Sequence, residues 1–177
     1  CDDRRAGERR RHARADLAVA DVEQPWALGL PARSGDPEAI SVFVASQRRD
    51  LVAALGSGLA SQAGMHLVGV CHAQIRDIRA FVAHASPDLI LFDTALLALF
   101  GAECLEELRE AVVDAKLILI WDDAHPLAVE EIEKHGICGC IPLLASARHY
   151  ARAIREVSHG GLWLPRWIMS RVCRRIL

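Results

Sequence analysis

The sequence predicts an α/β domain built as a doubly wound parallel sheet, and three observations carry that expectation. From Ile40 onward, short apolar runs alternate with longer stretches of helical spacing: ISVFVA (40–45), HLVGVC (66–71), DLILFD (88–93), KLILIW (116–121) and GCIPLL (139–144). Those runs are continuous rather than alternating, as strands buried on both faces require. Strand–helix units that follow one another in this way need crossover connections, which make the strands parallel and set helices on both faces.

Taken in order, the helices are predicted over roughly 49–63, 74–85, 102–114, 126–135 and 146–159. In the first, Leu51, Leu55 and Leu59 recur every four residues; in the last, Tyr150, Ile154 and Val157 keep to one face. Gly160-Gly161 closes the last of these. LWLPRWIMSRVCRRIL then carries Pro165 near the start of a further helix, with Trp167, Ile168, Val172 and Ile176 apolar among arginines. The domain is therefore bounded at 37–161, with 162–177 a linker or dimerisation helix. Residues 1–36 read as a mobile tail, dense in charge of both signs (CDDRRAGERRRHARAD) and broken by Pro25, Pro31 and Pro37.

Composition narrows the function. The net charge is −2, which gives no bulk attraction for nucleic acid. Apolar residues make up 52% and aromatics 5%, so the core is built mainly from Ala, Leu, Val and Ile. No apolar run reaches the ~20 residues that span a bilayer, so no membrane association is expected. No basic-then-apolar leader follows Cys1, and the six cysteines (Cys1, Cys71, Cys104, Cys138, Cys140 and Cys173) lie scattered. Buried free thiols in a cytoplasmic protein are the expectation. His135, Cys138 and Cys140 lack the paired spacing of structural zinc sites, and no metal is assigned to them. The chain is not expected to be an enzyme. GSG (56–58) falls inside a helix rather than in a strand-to-helix turn, so it is no phosphate loop, and no nucleophile elbow is present.

One residue stands out. SPDLILFD runs from unbroken apolar character into the single carboxylate of Asp93 at a strand's carboxyl end, the edge where open α/β sheets place their sites. A charge there needs compensation. Arg48 and Arg49 are the candidate partners, because arginines at a helix start work against the macrodipole unless an acid is near.

With these residues in view, the chain resembles the receiver domains of two-component response regulators. SPDLILFD matches the third strand and HGICGCIPLLAS the fifth. AIREVSHGGLWLP is similar to the end of receivers that precede a LuxR-type helix-turn-helix. The resemblance implies a flavodoxin-like (CheY-like) (βα)5 fold with strand order 2-1-3-4-5. It also implies phosphoryl transfer from a histidine kinase to an aspartate with bound Mg²⁺. Asp93 falls on the acceptor position. The acid pair of the family falls on Ser46 and Gln47, its Ser/Thr position on Trp121 and its Lys position on Leu143. Trp121 is expected beside Asp93, its bulk either compensating Cys140, which stands where receivers commonly carry an aromatic, or pointing into the loop region with the two changes unrelated. Asp122 and Asp123, next to His125 and Pro126, read as a solvated loop.

A degenerate receiver with a vestigial acceptor follows, one that does not bind Mg²⁺ and acts by protein contact. It is expected to form the N-terminal part of a transcription regulator. The implied partners are a histidine kinase or a second copy of the chain, with DNA reached only through a domain beyond these residues. A second reading is a phosphorylation-competent receiver using Asp93; a third is a small flavodoxin-like enzyme or nucleotide-binding module.

Overall fold

The structure is a computed structural model, and it describes residues 39–71, 75–122 and 129–176. Five strands form one parallel sheet: β1 (Ile40–Ala45), β2 (Met65–Cys71), β3 (Leu89–Asp93), β4 (Lys116–Trp121) and β5 (Gly139–Pro142). Their order is β2-β1-β3-β4-β5, every neighbouring pair parallel. The helices are α1 (Arg49–Ala60), α2 (Ile75–Ala85), α3 (Ala95–Phe100), α4 (Glu103–Ala111), α5 (Val129–Lys134), α6 (Ala147–Ser158) and α7 (Arg166–Ile176).

The period-2 alternation of strand side chains divides the core into two layers. Val42 and Val44, Leu89 and Leu91, and Ile118 and Ile120 face α1 and α6. Phe43, Ile90, Phe92, Leu117, Leu119 and Cys140 face the opposite layer, which α2, α3, α4, α5 and α7 supply. Both faces of the central strands are thus covered, the reason for their unbroken apolar runs. Gly58 lets α1 and α6 approach closely, since a Cβ there would lie 2.6 Å from that of Ala147.

The strand order and the doubly wound architecture are those expected, and element boundaries moved. The stretch between β3 and β4 holds two helices rather than one, because Gly101, at φ 77°, breaks the chain between α3 and α4. The apolar run ALLALF is too short to show helical periodicity in the sequence. The helix expected over 126–135 is described from Val129. His135, Cys138 and Cys140 do not converge: the His135 ring nitrogen bonds Glu131 at 2.9 Å, and Cys140 is buried in the core. Burial pushes the Cys140 thiol up to about 12. At Cys104, burial first and the nearby Glu107 and Glu103 next do the same, which leaves both as inert core thiols. The tail over 1–36, with Cys1, lies outside the described residues.

The C-terminal segment is integrated into the domain. Trp163 bridges to Gly139 alongside β5, with the Trp163 N–H donating to the Cys138 carbonyl at 2.9 Å and the Cys140 N–H to the Trp163 carbonyl at 2.7 Å. The edge of β5 is thereby paired rather than left open. The Trp163 ring rests on α6, edge-on to His149 and under Arg152. From Pro165 the chain enters α7, which packs against α5 and inserts Ile168, 2% exposed, into the core. Ile168→Ala is therefore expected to cost about 2–4 kcal/mol in a urea melt, the range for a fully buried aliphatic side chain. A loss under about 0.5 kcal/mol, typical of a surface position, would show that α7 is not part of the cooperative unit.

Candidate functional site

The same alternation that builds the core positions the site. Ile118 and Ile120 face the α1/α6 layer, and two residues on, Asp122 follows that parity. So does Ser46 after Val42 and Val44, and Asp93 after Leu89 and Leu91. Because Ala45 pairs with Phe92 and Asp93 with Ile120, these three residues stand together at the carboxyl edge of β1, β3 and β4. Asp93 is 1% exposed.

Asp93 is held from three directions. The Ser46 hydroxyl donates to Asp93 Oδ2 at 2.7 Å, and Arg48 Nε donates to the same oxygen at 3.1 Å. The Ala95 N–H donates to Oδ1 at 3.0 Å. Arg48 reaches further with Nη2, which donates to Asp122 Oδ2. Its own N–H is tied to Ser46 Oγ at 3.0 Å, which fixes the turn from β1 into α1. The guanidinium thus spans two carboxylates on neighbouring strands. Burial by itself lowers the Arg48 pKa, but the hydrogen bond and charge of Asp122, together with Asp93, outweigh it and raise it above the ordinary value. Tyr150, on α6, is also raised, first by burial and then by the Asp93 charge; its hydroxyl donates to the carbonyls of Pro142 and Leu143.

Arg48 explains its own position. It stands at the N-cap of α1, where a cation opposes the helix dipole and its side chain makes no cap bond. Two acids across the sheet edge make that placement favourable. Arg49 begins the helix and is exposed, and no bond joins it to Asp93. Gln47 is exposed as well, and Leu143 is half-buried against the α1/α6 core.

Two expectations are corrected here. Trp121 is not beside Asp93: one residue earlier in parity than Asp122, it faces the opposite layer, where it packs with the cluster containing Cys140. Asp122 is not a merely solvated loop residue, since it is the second carboxylate on Arg48. Its parity with Ile118 and Ile120 was the available signal. Asp123, His125 and Pro126 lie outside the described residues.

Mg²⁺ does not fit these residues. It takes six oxygens in near-octahedral geometry, with carboxylates supplying the charge. Here Ser46 offers a hydroxyl already donating to Asp93, Gln47 offers a neutral amide, and both Asp93 oxygens carry N–H or O–H donors. A permanent cation occupies the place between the acids. Among the described residues, no group of three or more His, Cys, Asp or Glu side chains is arranged to hold a metal.

The strand order, the two helical layers and an aspartate ending β3 define the class: a receiver-type domain with the CheY-like fold. Comparison with known proteins agrees. The transcriptional regulatory protein DesR of Bacillus subtilis is 31% identical over 121 residues, which cover 68% of this chain and 59% of that protein. A LuxR-family DNA-binding response regulator from Silicibacter pomeroyi superimposes with a TM-score of 0.59 at 22% identity, covering 72% of this chain and 98% of the other. The isolated REC domain of RcsB from Salmonella enterica serovar Typhimurium, in the apo form, gives 0.66 at 12% identity, covering 76% and 98%. No protein-family model matches the chain.

The ion pair has a measurable consequence. Arg48→Ala leaves a buried carboxylate without its cation, and a loss of about 2–3 kcal/mol is expected, below the full buried-pair cost because Arg48 is partly solvated. Combined with Asp93→Asn, the two changes should be non-additive by about 1–2 kcal/mol in urea melts. Strict additivity would mean that the two groups do not interact.

Proposed function

We propose that the chain is a signalling receiver of a transcription response regulator that works by protein contact rather than by Mg²⁺-dependent phosphorylation of Asp93. The observation that carries this reading is Arg48, whose guanidinium lies against Asp93 and Asp122. Phosphoryl transfer to a carboxylate needs an accessible oxygen and a cation that can gather phosphoryl oxygens. Asp93 is buried with both oxygens bonded, and its cation is covalently part of the chain and committed to two acids. Leu143 offers no second charge at the end of β5.

The link to transcription rests on likeness to DesR, of whose length the matched region spans 59%. A histidine kinase is retained as a protein that would recognise this fold. DNA contact belongs to parts of the regulator other than this domain. No helix among the described residues is long and apolar enough to cross a membrane.

Incubation with acetyl phosphate and millimolar Mg²⁺, read by intact mass, tests the proposal. The wild-type chain is expected to gain no phosphoryl group, and calorimetric titration to show no saturable Mg²⁺ binding. A phosphoryl adduct that disappears in Asp93→Ala would overturn it and establish the competent receiver instead.

A further inference from the structure

Between α2 and α4 the helical layer leaves an open groove of about 360 Å³, lined by Arg79, Ala80, Ala83 and Ala111. The two helices pack on each other, and their small side chains leave this space unfilled. Ile78 and Val82 of α2 and Leu105 and Leu108 of α4 turn into the core, so alanines are what the outer surface presents here. Along one rim, Arg79 Nη1 pairs with Glu107 Oε2 at 3.4 Å. Val113, 86% exposed, extends the apolar surface past the end of α4. With its arginine engaged and the rest of its lining alanine, the groove suits an apolar side chain better than a polar ligand.

The groove lies close to where the chain enters the domain. Crossover helices run back against their strands, so α2 and α4 both end at the amino edge of the sheet, where β1 begins. The Asp88 N–H, just past the end of α2, donates to the Ser41 carbonyl at 3.0 Å. Ahead of β1 the sequence holds QPWALGLPARSG (24–35), in which Trp26, Leu28 and Leu30 are apolar and Arg33 is the single charge. Fully extended, residues 26–39 reach about 40 Å, which exceeds the ~30 Å across a small domain. Pro25 and Pro31 bracket the apolar residues and restrict the backbone in advance, which lowers the cost of ordering it.

We propose that this groove is the docking site of the chain's own residues 25–31, with the Trp26 indole on Ala83 and Ala111. Three features select this occupant. It is tethered at the groove's own edge of the sheet, so a separate partner would compete against a local concentration of about millimolar. Its one charge is complementary, since Arg33 meets a helix end flanked by the exposed acids Glu110 and Asp114. A flat indole also covers a shallow floor of alanine methyls that a rounder side chain would touch at fewer points. The groove sits at the opposite edge of the sheet from Asp93, so this proposal and the reading of that site can each fail without the other.

Fluorine NMR of the full chain, labelled with fluorotryptophan, tests it. The Trp26 resonance is assigned by its loss in Trp26→Phe. We expect a soluble paramagnetic agent to broaden it several-fold less than free fluorotryptophan, and equally so after tenfold dilution. Ala83→Arg and, separately, Ala111→Arg fill the groove, and each should return Trp26 to free accessibility with unchanged far-ultraviolet circular dichroism. In the reverse direction, Trp26→Ala should shift the carbon-13 methyl resonances of Ala80, Ala83 and Ala111 and leave those of the buried Ala45 and Ala153 in place. That readout alters no residue of the domain, so it decides the matter should a groove variant fold poorly. A Trp26 as accessible as the free amino acid, protection that survives both arginine variants, or groove methyls indifferent to Trp26→Ala would overturn the proposal. So would protection lost on dilution, which would assign the groove to a segment of a second copy.

Discussion

A carboxylate that is 1% exposed at the end of the central strand has to be neutralised, and here a single guanidinium does it. Burying that charge alone would cost several kcal/mol, or hold the group protonated. Arg48 meets the requirement from the N-cap of α1, and by reaching Asp122 it also joins β1 to β4 across β3. Ser46 completes the arrangement by accepting from the Arg48 N–H while donating to Asp93. The β1–α1 turn, the ends of β3 and β4, and the start of α3 therefore share one network. Each depends on the Asp93 carboxylate remaining in place.

That arrangement changes what a receiver edge can do. Bound Mg²⁺ exchanges with solvent and shares its coordination sphere with incoming phosphoryl oxygens, whereas the Arg48 guanidinium is tethered to the chain beside both acids. The same domain carries α7, docked through Ile168 and outwardly basic.

The fold was legible because its signal is redundant. ISVFVA, DLILFD and KLILIW are continuous apolar runs that only a doubly covered parallel sheet explains, and the Leu51, Leu55 and Leu59 spacing fixes α1. The break at Gly101 was not legible, since ALLALF is compatible with strand, turn or helix until the packing is known. At the site, Asp93 and the Arg48/Arg49 alternative could be read from the sequence, but the choice between them could not. One residue of helix start separates a side chain that reaches the sheet edge from one that faces water. Trp121 and Asp122 were misplaced for a related reason: a one-residue difference in strand parity reverses which layer a side chain enters. Counting from Ile118 and Ile120 would have put Asp122 with Asp93 and Trp121 opposite.

Whether the Arg48 guanidinium, and not a metal, is the cation at Asp93 is open to direct measurement. The side-chain Nε–Hε resonance of Arg48 in a nitrogen-15 correlation spectrum reports this directly. We predict a distinct, slowly exchanging resonance that moves in Asp93→Asn and stays fixed as Mg²⁺ is raised through the millimolar range. A resonance exchanging as fast as those of surface arginines, or one that shifts saturably with Mg²⁺, would contradict it.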